Sequence, residues 1–127
     1  MQNLRRLVIV EDEPLISIMI EEIAVDLGWK VEGCAYSEKE ALALLEICTP
    51  TLALLDINLG PTTSLEVAAA CRSRGIPIVF TTGYTVSQIP EECGNAPIIA
   101  KPFSPEDLAI AFRRATGEMA LASALAL

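Results

Sequence analysis

No histidine occurs among the 127 residues of the chain. This absence excludes Ser-His-Asp and Cys-His nucleophile arrangements as well as zinc sites with histidine ligands. The cysteines are scattered and include no CxxC pair, so they indicate neither a metal site nor a disulfide framework. Buried or half-buried free thiols are therefore predicted at Cys34, Cys48, Cys71 and Cys93.

Long apolar runs and positive charge are also scarce. No apolar run reaches the ~18 residues that a membrane helix needs, and the apolar stretch near the start is short and ends in the acidic residues EDE, unlike a signal peptide. Nine Lys and Arg residues stand against 17 Asp and Glu residues, which gives a net charge of −8. Because phosphate backbones bind clustered basic side chains, nucleic acid is not an expected partner. We expect a soluble, cytoplasmic protein without membrane contact.

Short β-branched runs alternate with longer stretches of helical spacing along the chain. A length of 127 residues and a hydrophobic content of 52% suit a single domain with its own core. The alternation predicts the α/β class, in which a parallel five-stranded sheet is covered on both faces by about five helices. The predicted strands lie near residues 6–10, 31–35, 51–55, 76–80 and 97–100.

Capping residues mark where the helices are expected to begin. The predicted starts are Pro14, Ser37, Thr63 or Ser64, and Ser104. The segment 84–94 is the weakest helix candidate because Pro90 lacks an amide donor, and we expect a short, distorted or mobile element there. The apolar residues 119–127 are predicted to extend the last helix and pack on the same domain, with a self-association surface as the alternative.

Polar residues that could contact phosphate or a metal follow four of the predicted strands. They are Glu11 and Asp12, then Asp56, then Thr82 and Gly83, and finally Lys101. Each signal is weak alone, since acidic pairs and turn threonines are common on protein surfaces. Ligands bind beyond the carboxyl ends of parallel strands, so these side chains are expected to converge. Three carboxylates repel without a cation, and a hard divalent ion such as Mg²⁺ suits oxygen ligands. Together the groups suit phosphoryl transfer to a carboxylate nucleophile, Asp56.

Four stretches of the sequence, LVIVEDEP, LALLDINLG, PIVFTTGY and IIAKPF, resemble the receiver domain of two-component response regulators. The resemblance covers nearly the whole chain and implies a doubly wound, flavodoxin-like sheet of order 2-1-3-4-5. By resemblance, Asp56 is the phosphoacceptor, Asp12 binds Mg²⁺ directly and Glu11 binds it directly or through water. The backbone carbonyl of Asn58 would be a further ligand. Thr82 would donate a hydrogen bond to the phosphoryl group, and Lys101 would pair with it.

Some positions depart from the commonest receiver pattern. Leu59-Gly60 stands where Met-Pro is usual, and Ser64 stands in place of a glycine. Ile98 replaces the usual fifth-strand aromatic residue, so the switch is expected to work without the ordinary coupling between threonine and aromatic ring. The run from Phe80 to Tyr84 instead resembles the FATGUY-type single-domain receivers, which tend to lack that aromatic. The switch is therefore expected at Thr82, Gly83, Tyr84 and Ile98.

The resemblance implies a stand-alone receiver spanning 1–127, monomeric or weakly dimeric, that is not a turnover enzyme. Its phosphodonor would be a histidine kinase or a histidine phosphotransfer protein, and it would signal by protein contact or act as a phosphate sink. A non-phosphorylated pseudo-receiver is the alternative, although the intact set of site residues argues against it. An aspartyl phosphatase would need an acid where Asn58 stands, and a nucleotide-binding module would need a glycine-rich loop where EDEP stands.

Overall fold

The computed structural model of the protein describes residues 5–83 and 88–118. Within these ranges the chain forms five strands, four α-helices and a 3-10 turn at Glu91–Cys93. The strands and helices follow one another as β1 (Arg6–Val10), α1 (Pro14–Asp26), β2 (Lys30–Ala35), α2 (Glu38–Ile47), β3 (Leu52–Asp56), α3 (Leu65–Ser73), β4 (Ile78–Thr82), β5 (Ile98–Ala100) and α4 (Pro105–Thr116). No helix of this described part is long and apolar enough to cross a membrane.

The five strands form one parallel sheet in the order β2-β1-β3-β4-β5, which confirms the predicted α/β class and strand order. The central strand β3 is buried along its whole length, as are four of the five residues of β1. Strands covered on both faces read as continuous apolar runs, which explains why LVIV and LALL show no alternation in the sequence.

Apolar side chains from alternate strand positions form two separate cores, one on each face of the sheet. Val8, Leu55 and Phe80 point to the face that α2 and α3 cover. Their neighbours Leu7 and Leu54 belong to the opposite core, which α1 and α4 complete. Successive side chains of a strand point to opposite faces, so a single strand supplies both cores. In the second core, the rings of Trp29 and Phe112 meet edge to face with their centroids 5.5 Å apart.

Side-chain caps fix the starts of α2 and α4 at the predicted residues. The Ser37 hydroxyl accepts a hydrogen bond from the amide of Glu40 at 3.1 Å. At α4 the bonds are reciprocal: Ser104 Oγ accepts from the Asp107 amide at 3.1 Å, and the Asp107 carboxylate accepts from the Ser104 amide at 2.9 Å. Each bond satisfies an amide that the first helical turn would otherwise leave without a partner.

The connection between β4 and β5 contains no α-helix in its described residues, so the expected count of about five helices is too high by one there. Pro90 adopts an extended backbone, with φ −62° and ψ 143°, and only the 3-10 turn follows it. Gly94 then leaves that turn at a φ of +62°, which ends helical geometry. The guanidinium of Arg72 donates to the carbonyl of Cys93 at 3.1 Å and ties this connection to α3.

The four cysteines are free thiols, as predicted. Cys71 and Cys93 are buried, whereas Cys34 and Cys48 are partly buried. Burial raises the pKa of the Cys71 thiol to about 11, so this side chain is uncharged at neutral pH. The predicted extension of the last helix by 119–127 lies outside the described residues.

We predict that Ser104→Ala lowers the free energy of unfolding by about 1 kcal/mol, because the first turn of α4 loses a cap. Ser73→Ala is the matched control, since the Ser73 hydroxyl donates to Ala70 O within its own helix. The control is expected to change stability by less than about 0.5 kcal/mol. Urea unfolding followed by circular dichroism measures both variants, and equal losses would contradict the capping role.

Candidate functional site

The carboxyl edge of the sheet brings the predicted polar residues together. Glu11 follows β1 directly, Asp56 ends β3, and Thr82 ends β4. Lys101 follows β5, and its amide donates to the carbonyl of Thr82 at 2.9 Å. The parallel register therefore places these residues side by side at a single edge.

Three carboxylates form the centre of this edge. Glu11, Asp12 and Asp56 each have an oxygen within 4.8 Å of an oxygen of the other two. Glu11 is 1% exposed and Asp56 is 5% exposed, while Asp12 is only partly buried. Neighbouring carboxylates at low exposure repel one another, so the cluster needs positive charge.

Lys101 supplies that charge. Its ammonium donates a hydrogen bond to Asp56 Oδ2 at 2.8 Å and forms an ion pair with Glu11 Oε1 at 2.8 Å. Burial lowers the pKa of Lys101, but its contacts with Asp56 and Glu11 outweigh burial, and the net pKa lies above its usual value. The lysine is therefore charged throughout the neutral range.

Glu11 is fixed by the backbone around it. Its amide donates to the carbonyl of Ala35 at 3.0 Å, and its Oε2 accepts from the amide of Glu13 at 3.0 Å. Burial raises the pKa of Glu11 from 4.5 to about 7, although the Lys101 contact and the Glu13 amide oppose that rise. Sequence reasoning did not include Glu13 in the site. Its position before Pro14, at the start of α1, indicates that it lies in the turn that follows Glu11.

An open cleft of about 370 Å³ lies above the cluster. Its walls are Asp12, Glu13, Asp56, Asn58, Gly60, Gly83 and Lys101. The amide of Asn58 donates to Asp56 Oδ1 at 3.3 Å, and the Asn58 side-chain oxygen accepts from the amide of Gly60 at 3.2 Å. Gly60 has a φ of +82°, a conformation that favours glycine, and it was not predicted as part of the site.

The predicted switch residues are only partly gathered at this cleft. Thr82 is buried at 3% exposure and is not part of the cleft wall among the described residues, whereas Gly83 is. Ile98 lies on β5, where it pairs with Phe80 and packs against the first core. Tyr84 lies outside the described residues.

The donor set suits a hard divalent cation. All the side-chain donors of the cluster are carboxylate oxygens, the ligands that Mg²⁺ prefers. Among the described residues, Oε1 of Glu11 is buried without an aligned hydrogen bond, and the ion pair with Lys101 balances its charge. The site therefore combines a cation-binding carboxylate cluster, an ammonium and an open approach to Asp56.

Comparison with known proteins gives the family. The sequence model of the response regulator receiver domain family matches residues 7–113 of this chain. The chain belongs to this receiver family. The motifs at Glu11, Asp56 and Lys101 lie within that match.

The receiver domain is similar to proteins from several bacteria. It is 32% identical over 108 residues to the transcriptional regulatory protein PdtaR of Mycobacterium tuberculosis, covering 82% of this chain and 53% of PdtaR. It is 34% identical over 113 residues to the phyllosphere-induced regulator PhyR of Methylorubrum extorquens, covering 86% of this chain and 42% of PhyR. The chain thus spans about half the length of these curated relatives.

One of the similar solved structures is matched over nearly the full length of its own chain. The solution structure of SdrG from Sphingomonas melonis Fr1 superposes with a TM-score of 0.77 at 35% identity. The match covers 88% of this chain and 96% of SdrG. The receiver fold of this chain therefore corresponds to almost the whole of SdrG.

We predict that Glu11 makes the metal-free receiver less stable as pH rises from about 4.5 to about 7. Between these values the folded state holds a proton on Glu11 that the unfolded chain has released, so raising the pH favours unfolding. The titration of Glu11 lowers the free energy of unfolding by roughly 1–3 kcal/mol over this range. This decrease should be absent in Glu11→Gln. Urea unfolding in EDTA at pH 5 and pH 8 measures it.

Glu22→Gln, on the solvent side of α1, controls for the loss of one acidic residue. Its free energy of unfolding should depend on pH in the same way as that of the wild type. Parallel pH profiles for Glu11→Gln and the wild type would contradict the prediction.

Proposed function

We propose that this receiver accepts a phosphoryl group on the Asp56 carboxylate in a Mg²⁺-dependent reaction. The observation that carries the proposal is the position of Asp56, which lies in the wall of the open cleft with an ammonium 2.8 Å from its Oδ2. Glu11, the other buried carboxylate, is not part of the described cleft wall. Of the two, only Asp56 is thus open to a donor.

The proposed donor is a phosphohistidine on a histidine kinase or a histidine phosphotransfer protein. An oxygen of Asp56 attacks phosphorus while the phosphorus–nitrogen bond breaks, and the electron pair of that bond stays on the imidazole of the donor. The other ring nitrogen of the phosphohistidine carries a proton, so the products are an aspartyl phosphate and a neutral histidine. Lys101 balances the charge on the transferred oxygens, and the Thr82 hydroxyl donates a hydrogen bond to one of them.

The proposed Mg²⁺ ligands are Asp12, Asp56 and the backbone carbonyl of Asn58. Glu11 would bind the ion directly or through water. When bound, the ion neutralises charge on the phosphoryl oxygens during transfer. Asp12 and Asn58 face the same cleft as Asp56, which supports this assignment.

Phosphorylation would then shift an equilibrium between two conformations rather than start a catalytic cycle. The proposed responding residues are Thr82, Gly83 and Ile98 together with the turn at Glu91–Cys93. Output would be a protein contact or the removal of phosphate from a relay. The receiver would act in the cytoplasm as a monomer or weak dimer, without binding nucleic acid.

Incubation with acetyl phosphate and Mg²⁺ tests the phosphoacceptor. We expect intact-mass spectrometry to show one phosphate on the wild type and none on Asp56→Asn. Asp26→Asn, at the end of α1, is the matched control and should be phosphorylated normally. No adduct from acetyl phosphate or from phosphorylated phosphotransfer proteins would support a non-phosphorylated binding module instead.

Helix α1 carries an exposed apolar stripe that begins beside the cleft. Its members Leu15, Ile18, Met19 and Val25 are all exposed, although the helix buries Ile20 and Ala24 on the other side. Acidic residues accompany the stripe, and no Lys or Arg occurs in α1. Because Glu13 at the helix start lines the cleft, we propose that the donor protein contacts this stripe through an apolar surface bordered by basic side chains.

We predict that Ile18→Ser combined with Val25→Ser slows transfer from a phosphotransfer protein at least tenfold. Phosphorylation by acetyl phosphate should be unchanged, because the small donor needs no docking surface. Ile47→Ser, at the exposed end of α2, is the control for loss of an exposed apolar side chain. Radiolabel transfer assays give both rates, and a matching loss with acetyl phosphate would contradict the docking role.

A further inference from the structure

A cavity of about 210 Å³, the amino-edge cavity, lies at the end of the sheet opposite the carboxylate cluster. Its apolar wall comes from α1, from the start of β2 and from α4, through Leu27, Trp29, Ala109 and Phe112. Leu27, Trp29 and Phe112 also belong to the second core, so the cavity adjoins that core. Because a cavity of about 150 Å³ already admits a benzene-sized group, this one has room for a leucine side chain.

Charged side chains border the amino-edge cavity. They are Arg5, Arg113 and Glu118. The guanidinium of Arg5 donates to Glu118 Oε2 at 3.0 Å and to the carbonyl of Leu27 at 3.1 Å. The same guanidinium lies 5.9 Å from the centre of the Trp29 ring. Arg5 therefore holds Glu118, the last residue that the structure describes, beside the end of α1.

The chain changes direction just before it reaches this cavity. Helix α4 ends at Thr116, and Gly117 follows with a φ of +79°, a left-handed conformation that ends helical geometry. Glu118, the next residue, stands in the cavity wall. Because consecutive Cα atoms are about 3.8 Å apart, the segment 119–127 starts directly beside the cavity.

The segment 119–127, with the sequence MALASALAL, has the composition of a core element. Ser123 is its one polar residue, and the segment contains no charged side chain. Leu121 and Leu125 are four positions apart, a spacing that puts both on one face of a helix. Three residues of chain span up to about 10 Å, so Leu121 can reach the cavity from Glu118.

We propose that residues 119–127 turn back at Gly117 and dock in the amino-edge cavity, where a leucine of the segment packs against Trp29 and Phe112. Arg5 is the clasp that holds the start of the segment. A second copy of the chain fits less well as the occupant, because a stable dimer buries roughly 800 Å² on each partner and the apolar wall here comes from four side chains. The inference does not depend on phosphorylation of Asp56.

The docking removes the leucines of the segment from the surface that partner proteins can contact. It also covers one side of the Trp29 indole, which borders the cavity. Since Trp29 is the only tryptophan of the chain, its accessibility to a small quencher reports directly on the occupant.

Acrylamide quenching of Trp29 fluorescence, in the folded full chain without denaturant, tests the docking. Leu121→Ser combined with Leu125→Ser should raise the quenching constant about twofold or more, because undocking of the segment exposes the indole. Leu121→Met combined with Leu125→Met keeps both side chains apolar and should be quenched like the wild type. Leu42→Ser combined with Ile47→Ser is the matched control, since both side chains are exposed on α2, and it should also be quenched like the wild type.

Arg5→Gln is the second variant, and it answers the question if circular dichroism shows that the serine variant does not fold. Loss of the clasp should raise the quenching constant in the same direction. Wild-type quenching in the folded serine variant, or in Arg5→Gln where the serine variant does not fold, would overturn the inference.

Analytical ultracentrifugation over a range of protein concentrations distinguishes the two occupants. Docking within one chain predicts a quenching constant that does not change with protein concentration. A wild-type quenching constant that rises on dilution, together with a dimer that the serine variant does not form, would identify a second copy as the occupant and overturn the inference.

Discussion

Repulsion among Glu11, Asp12 and Asp56 is the constraint on which the rest of the site depends. Their oxygens lie within 4.8 Å of one another at the edge of a protein that already carries a net charge of −8. The ammonium of Lys101 offsets this repulsion through two contacts. Because Lys101 lies at the end of β5 and the carboxylates lie at the ends of β1 and β3, the charge balance holds only when the sheet is complete.

Much of the fold was predictable because the buried strands are continuous apolar runs that stop at polar residues. The sheet order came from the resemblance, since periodicity does not specify which strands pair. The count of about five helices was too high, because Pro90 in the segment 84–94 lacks an amide donor and is followed by a 3-10 turn at Glu91–Cys93 rather than by an α-helix. Local propensity thus identified the elements but not the irregular connection.

The site was predictable as a set of residues but not as a network. The sequence indicates that Glu11, Asp56 and Lys101 share an edge, yet it carries no information on which oxygen meets the ammonium. The contact between Lys101 and Glu11 depends on the burial of Glu11 and on the amide of Glu13, which are tertiary features. Gly60 was named only as a departure from the usual Met-Pro and not as part of the site, since its positive φ is a property of the folded turn after Asp56.

The packing of Trp29 against Phe112 has a practical consequence for measurement. Trp29 is the only tryptophan of the chain, is 6% exposed, and directly precedes β2 at the amino edge of the sheet. The carboxylate cluster lies at the carboxyl edge, so the indole is separated from it by the length of the strands. Intrinsic fluorescence is therefore a reporter of unfolding in the second core, and events at Asp56 need a probe of their own.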